Sequence, residues 1–275
     1  VQIPAVLHLI RIGYTYLSRK SQEIIERDSE TNILVSIFRE QYRKLNNYAT
    51  DMDFERDLNN IKLELNQNDL GRAFYNRIQG DGGATYIDWN NPEANTFHVA
   101  MEVSCQNGND EFRPDVMVFI NGLPLSYIEV KQPNAIRDGK TGIQSEQDRT
   151  RYRFENKKFR RFNNITQFIA FSDNSSYVSG KGDQRQGSYY CSNSFSKTKF
   201  NAFKEEREAD FLHAFQSLTQ EDIENVLGDM NQLPLQTLPE FATNMQLDTP
   251  CNSFLTSIYQ KERLFFMLRF GLAYV

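Results

Sequence analysis

Apolar and polar positions along the chain follow two different rhythms. The first part runs at helical spacing. Residues 4–17 carry a mostly apolar helical face, and a second helix is expected to begin near Ser29 or Thr31, with Ile33, Leu34, Ile37, Phe38 and Leu45 on one stripe. Residues 52–79 read as a polar, peripheral helix, followed by a glycine-rich loop at 80–83. The period then shortens. TFHVAMEV (96–103), DVMVFI (115–120) and LSYIEV (125–130) are rich in β-branched and aromatic residues and read as strands, the last two joined by an Asn121-Gly122 hairpin turn. A basic segment at 144–162 returns to helical spacing, and ITQFIAF (165–171) is a buried strand stopped by SDNSS. A helix joining two strands of one sheet implies a right-handed crossover. The order predicts an α/β fold, with a mixed sheet flanked by helices.

After about residue 185 the pattern changes. YYCSNSFSKTKF (189–200) reads as loop, Thr219 with Asp222 as a capping box, Gly228 as a helix stop, and 251–270 as a further helix. The expected division is therefore an α/β domain at 1–185 and a mostly helical extension at 186–275.

Composition narrows the function classes. With 39% hydrophobic and 24% charged residues among 275, the chain can bury a core. A net charge of −5 argues against coating nucleic acid by bulk charge, while leaving room for a local basic groove. Cys105, Cys191 and Cys251 are odd in number and lack C-x-x-C spacing, which suits a reducing compartment, and His8, His98 and His213 lack metal-ligand spacing. The apolar N-terminal stretch is too short to span a bilayer and is interrupted by Arg11. The missing initiator Met and the apolar C-terminal run lead us to expect a longer parent protein.

The chemistry concentrates in EFRPDVMVFINGLPLSYIEVKQPN (111–134). Glu129 and Lys131 lie two apart on a strand and share a face, with Ile128 and Val130 on the other. Folding the hairpin brings Asp115 near either Glu129 or Lys131, the register being open to one residue. Clustered carboxylates repel unless a positive charge lies between them. Mg2+, which takes one or two carboxylates plus waters and phosphate oxygens, resolves that repulsion, and a neighbouring lysine can orient water or steady phosphate charge. The plainer alternative is a surface hairpin with an ion pair. The tripeptide E-x-K is unspecific by itself, recurring as Glu155-Asn156-Lys157. Among other short motifs, DGKTG (138–142) lacks the first glycine of a phosphate loop, Asp51-Met52-Asp53 sits in a polar helical stretch, and Trp89 reads as core.

RPD, thirteen intervening residues and EVK together resemble the PD-(D/E)xK nuclease motif. The wider context, from NTFHVAMEV through NKKFRRFNNITQFIAFSDN to TPCNSFLTSIYQKERLFFMLRFGLAYV, is similar to the N-terminal endonuclease region of the R subunit of type I restriction–modification enzymes. That resemblance implies a restriction-endonuclease-like sheet. It implies Asp115, Glu129 and the Val130 carbonyl as ligands of Mg2+, and Lys131 as the catalytic lysine. Gln147 and Tyr152 would correspond to a Gln-x-x-x-Tyr element, though they are five apart rather than four. Some relatives carry a glutamate on the first helix, where residues 4–17 have no acid. The basic segment, with Arg149, Arg153, Lys157, Lys158, Arg160 and Arg161, would contact the phosphate backbone, while Tyr152, Phe159 and Phe162 pack inward. Implied partners are double-stranded DNA and the methyltransferase and specificity subunits, with ATP used by a motor region outside this chain, in the cytoplasm and away from membranes. The alternative is a nuclease-fold DNA-binding or docking module without chemistry of its own.

Overall fold

The computed structural model describes residues 2–11, 13–81, 83–131, 136–137, 140–172, 176–178, 184–186, 189–191, 201–202 and 219–231. The helix expected at 251–270 lies outside them. In chain order the elements are α1 (Gln2–Arg11), β1 (Thr15–Tyr16), α2 (Arg19–Ile24), α3 (Val35–Leu45), α4 (Asp51–Glu64) and α5 (Arg72–Asn76). Then come β2 (Phe97–Met101), β3 (Cys105–Asn107), β4 (Asp110–Phe112), β5 (Val116–Ile120), β6 (Leu123–Val130), β7 (Ile136–Arg137) and β8 (Lys140–Thr141). They are followed by α6 (Gly142–Glu155), α7 (Arg160–Ile165), β9 (Phe168–Ser172), β10 (Ser176–Val178), β11 (Gln184–Gln186), β12 (Tyr189–Cys191), β13 (Asn201–Ala202) and α8 (Gln220–Asn231).

Among the described residues, the main sheet has seven strands in the order β1-β2-β5-β6-β9-β12-β13. The α6–α7 segment connects β6 to its parallel neighbour β9, while β5 pairs antiparallel to both β2 and β6. The expected mixed sheet is therefore present. Alternate side chains feed two layers. Val116, Val118, Ile120 and Ile128 join a core with Val6, Phe38, Phe54 and Phe74. Met117, Phe119 and Tyr127 join a second core with Phe112, Phe159 and Phe162. Tyr127 stacks on Phe162 with ring centroids 5.8 Å apart.

The hairpin turn is the two-residue loop its sequence predicts. Asn121 (φ +52°) and Gly122 (φ +81°) are both left-handed, as a type I′ turn requires. Its tip docks on the start of α3, where Leu34 N donates to Gly122 O at 2.9 Å. Buried Asn121 accepts from Thr96 N at 2.7 Å and donates to Tyr86 O at 2.9 Å. A further feature sits just beyond the turn. Ile120 pairs with Leu123, but Val118 pairs with Ser126, so β6 carries one residue more than β5 over this stretch. Pro124 lies within it, as suits a residue that cannot donate to the ladder. The bulge reverses the side-chain parity of β6: Leu123 and Leu125 join the first core, as does Ile128, while Tyr127 joins the second.

Several element boundaries differ from the sequence expectation. The first helix stops at Arg11 because Gly13 turns left-handed (φ +96°), and Thr15–Tyr16 then pair with β2 rather than extending the helix. Ser29 and Thr31 belong to a turn held by Asp28, which accepts from Thr31 N at 2.9 Å, so α3 begins only at Val35. The helix expected at 52–79 is broken between α4 and α5, where Leu70 (φ +55°) and Gly71 (φ +81°) are left-handed. The basic segment is likewise divided at Asn156, whose side chain accepts from Lys158 N at 3.0 Å. Asp53 completes a capping box with Thr50 at the start of α4, which accounts for the Asp51-Met52-Asp53 tripeptide. The Thr219–Asp222 box forms as expected, but Gly228 does not stop the helix, and α8 continues to Asn231. Beyond residue 185, β12 and β13 add to the sheet, and Asp229 of α8 accepts from Tyr16 OH at 2.6 Å.

A Cβ at Gly122 would lie 2.8 Å from both Leu34 O and Phe38 N, in a left-handed conformation. Gly122→Ala is therefore expected to destabilise the protein by about 1–3 kcal/mol, read as a lower denaturation midpoint. An unchanged midpoint would mean that the hairpin tip does not pack on α3.

Candidate active site

The bulge resolves the register left open by the sequence. Val116 pairs with Ile128, and continuing that alignment places Asp115 opposite Glu129 on the face shared with Met117 and Tyr127. The register set by the turn alone would have placed Asp115 opposite Ile128 and turned it to the other face. Asp115 is anchored by the β6 backbone, accepting from Val130 N at 2.7 Å. Lys131 follows on the same face, its Nζ 3.3 Å from Glu129 Oε2 and 3.7 Å from Asp115 Oδ2. Asp115, Glu129 and Lys131 therefore converge.

The site contains side chains that the sequence reading passed over. Glu146 of α6 is fully buried, with Oε2 3.1 Å from Lys131 Nζ and 3.4 Å from an Arg149 nitrogen, and Oε1 2.8 Å from Arg153. Arg153 also stands 3.7 Å from Glu129 Oε1 and lies over the Phe112 ring, 3.7 Å from its centroid. A signal for Glu146 existed: an acid placed i,i+3 and i,i+7 from two arginines of a predicted helix shares their face. On the other flank, Gln2 of α1 donates to Asp115 O at 2.7 Å and to Glu102 Oε1 at 3.4 Å. Glu102 has a left-handed backbone (φ +56°) and pairs with Arg113 at 2.7 Å. The first helix thus reaches the site through an amide rather than an acid.

Burial sets the electrostatics. Glu129 is almost completely enclosed, and desolvation, reinforced by Asp115 and Glu146, pushes its carboxyl up to about 8. Its Oε1 has no hydrogen-bond partner. Burial pulls Lys131 down, but Glu129, Glu146 and Asp115 outweigh it and hold the ammonium above its ordinary value. Burial also works against an ionised Glu146, yet Lys131 and Arg153 keep it below the usual carboxylate range. Near neutral pH the buried Glu129 carboxyl is thereby pushed toward its neutral form, with Arg153 3.7 Å from its Oε1 and Lys131 3.3 Å from its Oε2.

The remaining sequence candidates are placed more loosely. Gln147 lies on α6, one residue after Glu146. Tyr152 is 71% exposed, against the expectation that it packs inward, because Glu146 and Arg153 take the inward positions of α6. Phe159 and Phe162 are buried as expected. The six basic residues do not form one face. Arg153 points into the site, Lys158 pairs with Asp110 at 2.8 Å, and Arg161 pairs with Glu30. Arg160 donates to Asn66 O at 3.4 Å, while Lys157 is exposed and the Arg149 side chain is 64% exposed. Among the described residues, no group of three or more His, Cys, Asp or Glu is placed to hold a metal ion.

A mixed sheet flanked by helices, with an acid–acid–lysine cluster at the open end of one hairpin, defines an α/β protein. Its family follows from comparison. Residues 1–188 match the family described as type I restriction enzyme R protein N terminus, and the chain belongs to that family. It is also 27% identical over 169 residues to the putative type I restriction enzyme MjaIXP endonuclease subunit of Methanocaldococcus jannaschii. That match covers 51% of this chain and 16% of the relative. Among the described residues, no helix is long and apolar enough to cross a membrane.

The raised Glu129 predicts a pH-dependent stability in metal-free protein. A carboxyl whose folded pKa lies above its unfolded value contributes stability at low pH and loses it as pH rises toward about 8. Glu129→Gln, which keeps the shape without the charge, is expected to raise the melting temperature at pH 8 and leave it nearly unchanged near pH 4, at about 2–4 °C per kcal/mol. Equal effects at both pH values would show that Glu129 is not held in its neutral form.

Proposed function

We propose that this region is the Mg2+-dependent DNA-cleaving module of a type I restriction enzyme R subunit, built on a restriction-endonuclease-like fold. The observation that supports it best is the convergence of Asp115, Glu129 and Lys131, with the buried Glu129 Oε1 making no hydrogen bond. The donor set fits a hard divalent cation: two carboxylates and a backbone carbonyl leave room for water and phosphate oxygens. Asp115, Glu129 and the Val130 carbonyl would hold it, and when bound it would supply Lewis acidity and a more acidic bound water.

The chain's own residues then have distinct tasks. The Val130 amide orients Asp115. Lys131, kept protonated by its acidic neighbours, steadies the charge that develops on the attacked phosphate. Hydrolysis of the phosphodiester would leave a 5′-phosphate and a 3′-hydroxyl. Exposed Arg149 and Lys157 are the best placed of the basic residues to meet the DNA backbone, a contact that carries no sequence readout. Gln147 and Tyr152 would lie along the same helix beside the DNA. Sequence recognition would rest with a specificity subunit, working with a methyltransferase subunit, and ATP-driven translocation with a motor region, all in the cytoplasm.

A second reading, a DNA-docking module without chemistry, draws on the absence of a three-carboxylate cage among the described residues. Divalent-ion titration separates the two: binding that disappears in Asp115→Ala favours the catalytic reading, and no binding favours docking. Lys131→Ala in the assembled enzyme is expected to lower DNA cleavage by roughly 10²–10³-fold while DNA binding and ATP hydrolysis persist. Undiminished cutting would overturn the assignment.

A further inference from the structure

Resting on that nuclease reading, we propose that Gly142 and Glu146 of α6 form a cradle that fixes where Lys131 stands, which makes Glu146 a positioning residue for the reaction. The lysine touches α6 at both ends of its side chain. Its ammonium is closer to Glu146, at 3.1 Å, than to Glu129 at 3.3 Å or Asp115 at 3.7 Å. Its stem passes over the first residue of the same helix, where a Cβ on Gly142 would lie 3.0 Å from Lys131 Cβ and 3.4 Å from Cγ. Gly142 and Glu146 are four apart and therefore share a helical face. The bare backbone admits the stem, and one turn later the carboxylate takes the head.

Glu146 is in turn locked. Its side chain is 1% exposed and paired to Arg153 at 2.8 Å, and Arg153 is held over the Phe112 ring. A buried carboxylate so paired cannot follow the lysine, whereas the lysine, on a flexible four-carbon stem, can follow it. Without this third acid the ammonium would settle between Asp115 and Glu129 and neutralise the pair intended for a cation. Glu146 draws the charge sideways, toward α6, so that Lys131 keeps a 3.3 Å hydrogen bond to Glu129 Oε2 but stands 3.7 Å from Asp115. A glycine at position 142 and an acid at 146 are thus two parts of one device, each accounting for a residue that neither helix formation nor DNA contact demands.

The test uses the full-length subunit in its assembled complex with unmodified plasmid DNA. Glu146→Gln removes the counter-charge and Gly142→Ala crowds the stem without altering charge. In both, amine labelling of Lys131, read by mass spectrometry relative to Lys158, is expected to become several-fold faster. The kcat for DNA cleavage is expected to fall roughly 10–100-fold, with KM for DNA unchanged. Wild-type labelling of Lys131 in both variants would overturn the cradle, as would a wild-type kcat with the lysine released. If Lys131→Ala itself cuts normally, the nuclease reading fails, while the labelling still reports whether Gly142 and Glu146 hold the lysine.

Discussion

The pairing of β5 with β6 governs everything that follows at the site. A type I′ turn at Asn121-Gly122 begins the hairpin in one register, and the extra residue near Pro124 moves it by one before the strands reach their open end. Because side chains alternate between faces, that single residue decides whether Asp115 stands with Glu129 and Lys131 or on the opposite side of the sheet. The turn is itself pinned, by Gly122 against α3 and by buried Asn121 bonded to Thr96 and Tyr86. The first core therefore holds the chemistry in place from the far end of the hairpin.

On that geometry rests an unusual balance of charge. Asp115, Glu129 and Glu146 meet Lys131 and Arg153 in a space with little water, where an unpaired charge is costly. The arrangement divides the acids by role. Glu146 stays ionised because two cations press on it directly, while Glu129 receives only what remains and is driven toward its neutral form. A buried carboxyl pushed up in this way marks the place where the cluster's charges are least well matched.

Helix α6 shows how a basic segment serves two ends. Its exposed side carries Tyr152, its inward side carries Glu146 and Arg153, and Arg149 lies at the edge, 64% exposed yet 3.4 Å from Glu146. Read as net charge, the segment looks like one continuous surface for phosphate. The kink at Asn156 and the ion pairs of Lys158 and Arg161 with Asp110 and Glu30 instead divide it, and several of its cations hold the fold together.

The local pattern of residues was enough for the elements nearest the chemistry. The strands β5, β6 and β9, the Asn121-Gly122 turn, the helical segment between β6 and β9 and the Thr219–Asp222 capping box are set by short-range propensity and backbone geometry, so they were legible in order and in type. The shared face of Glu129 and Lys131 followed from strand periodicity alone. Contacts between distant segments were not legible in this way. Whether Asp115 joined that face depended on a bulge, of which Pro124 was the only local trace. The reach of Gln2 to Asp115, the inward turn of Arg153 and the burial of Glu146 depended on how α1 and α6 pack on the sheet. Packing decides which of several chemically equivalent side chains loses its water and meets an opposite charge, and no pattern within one segment contains that information.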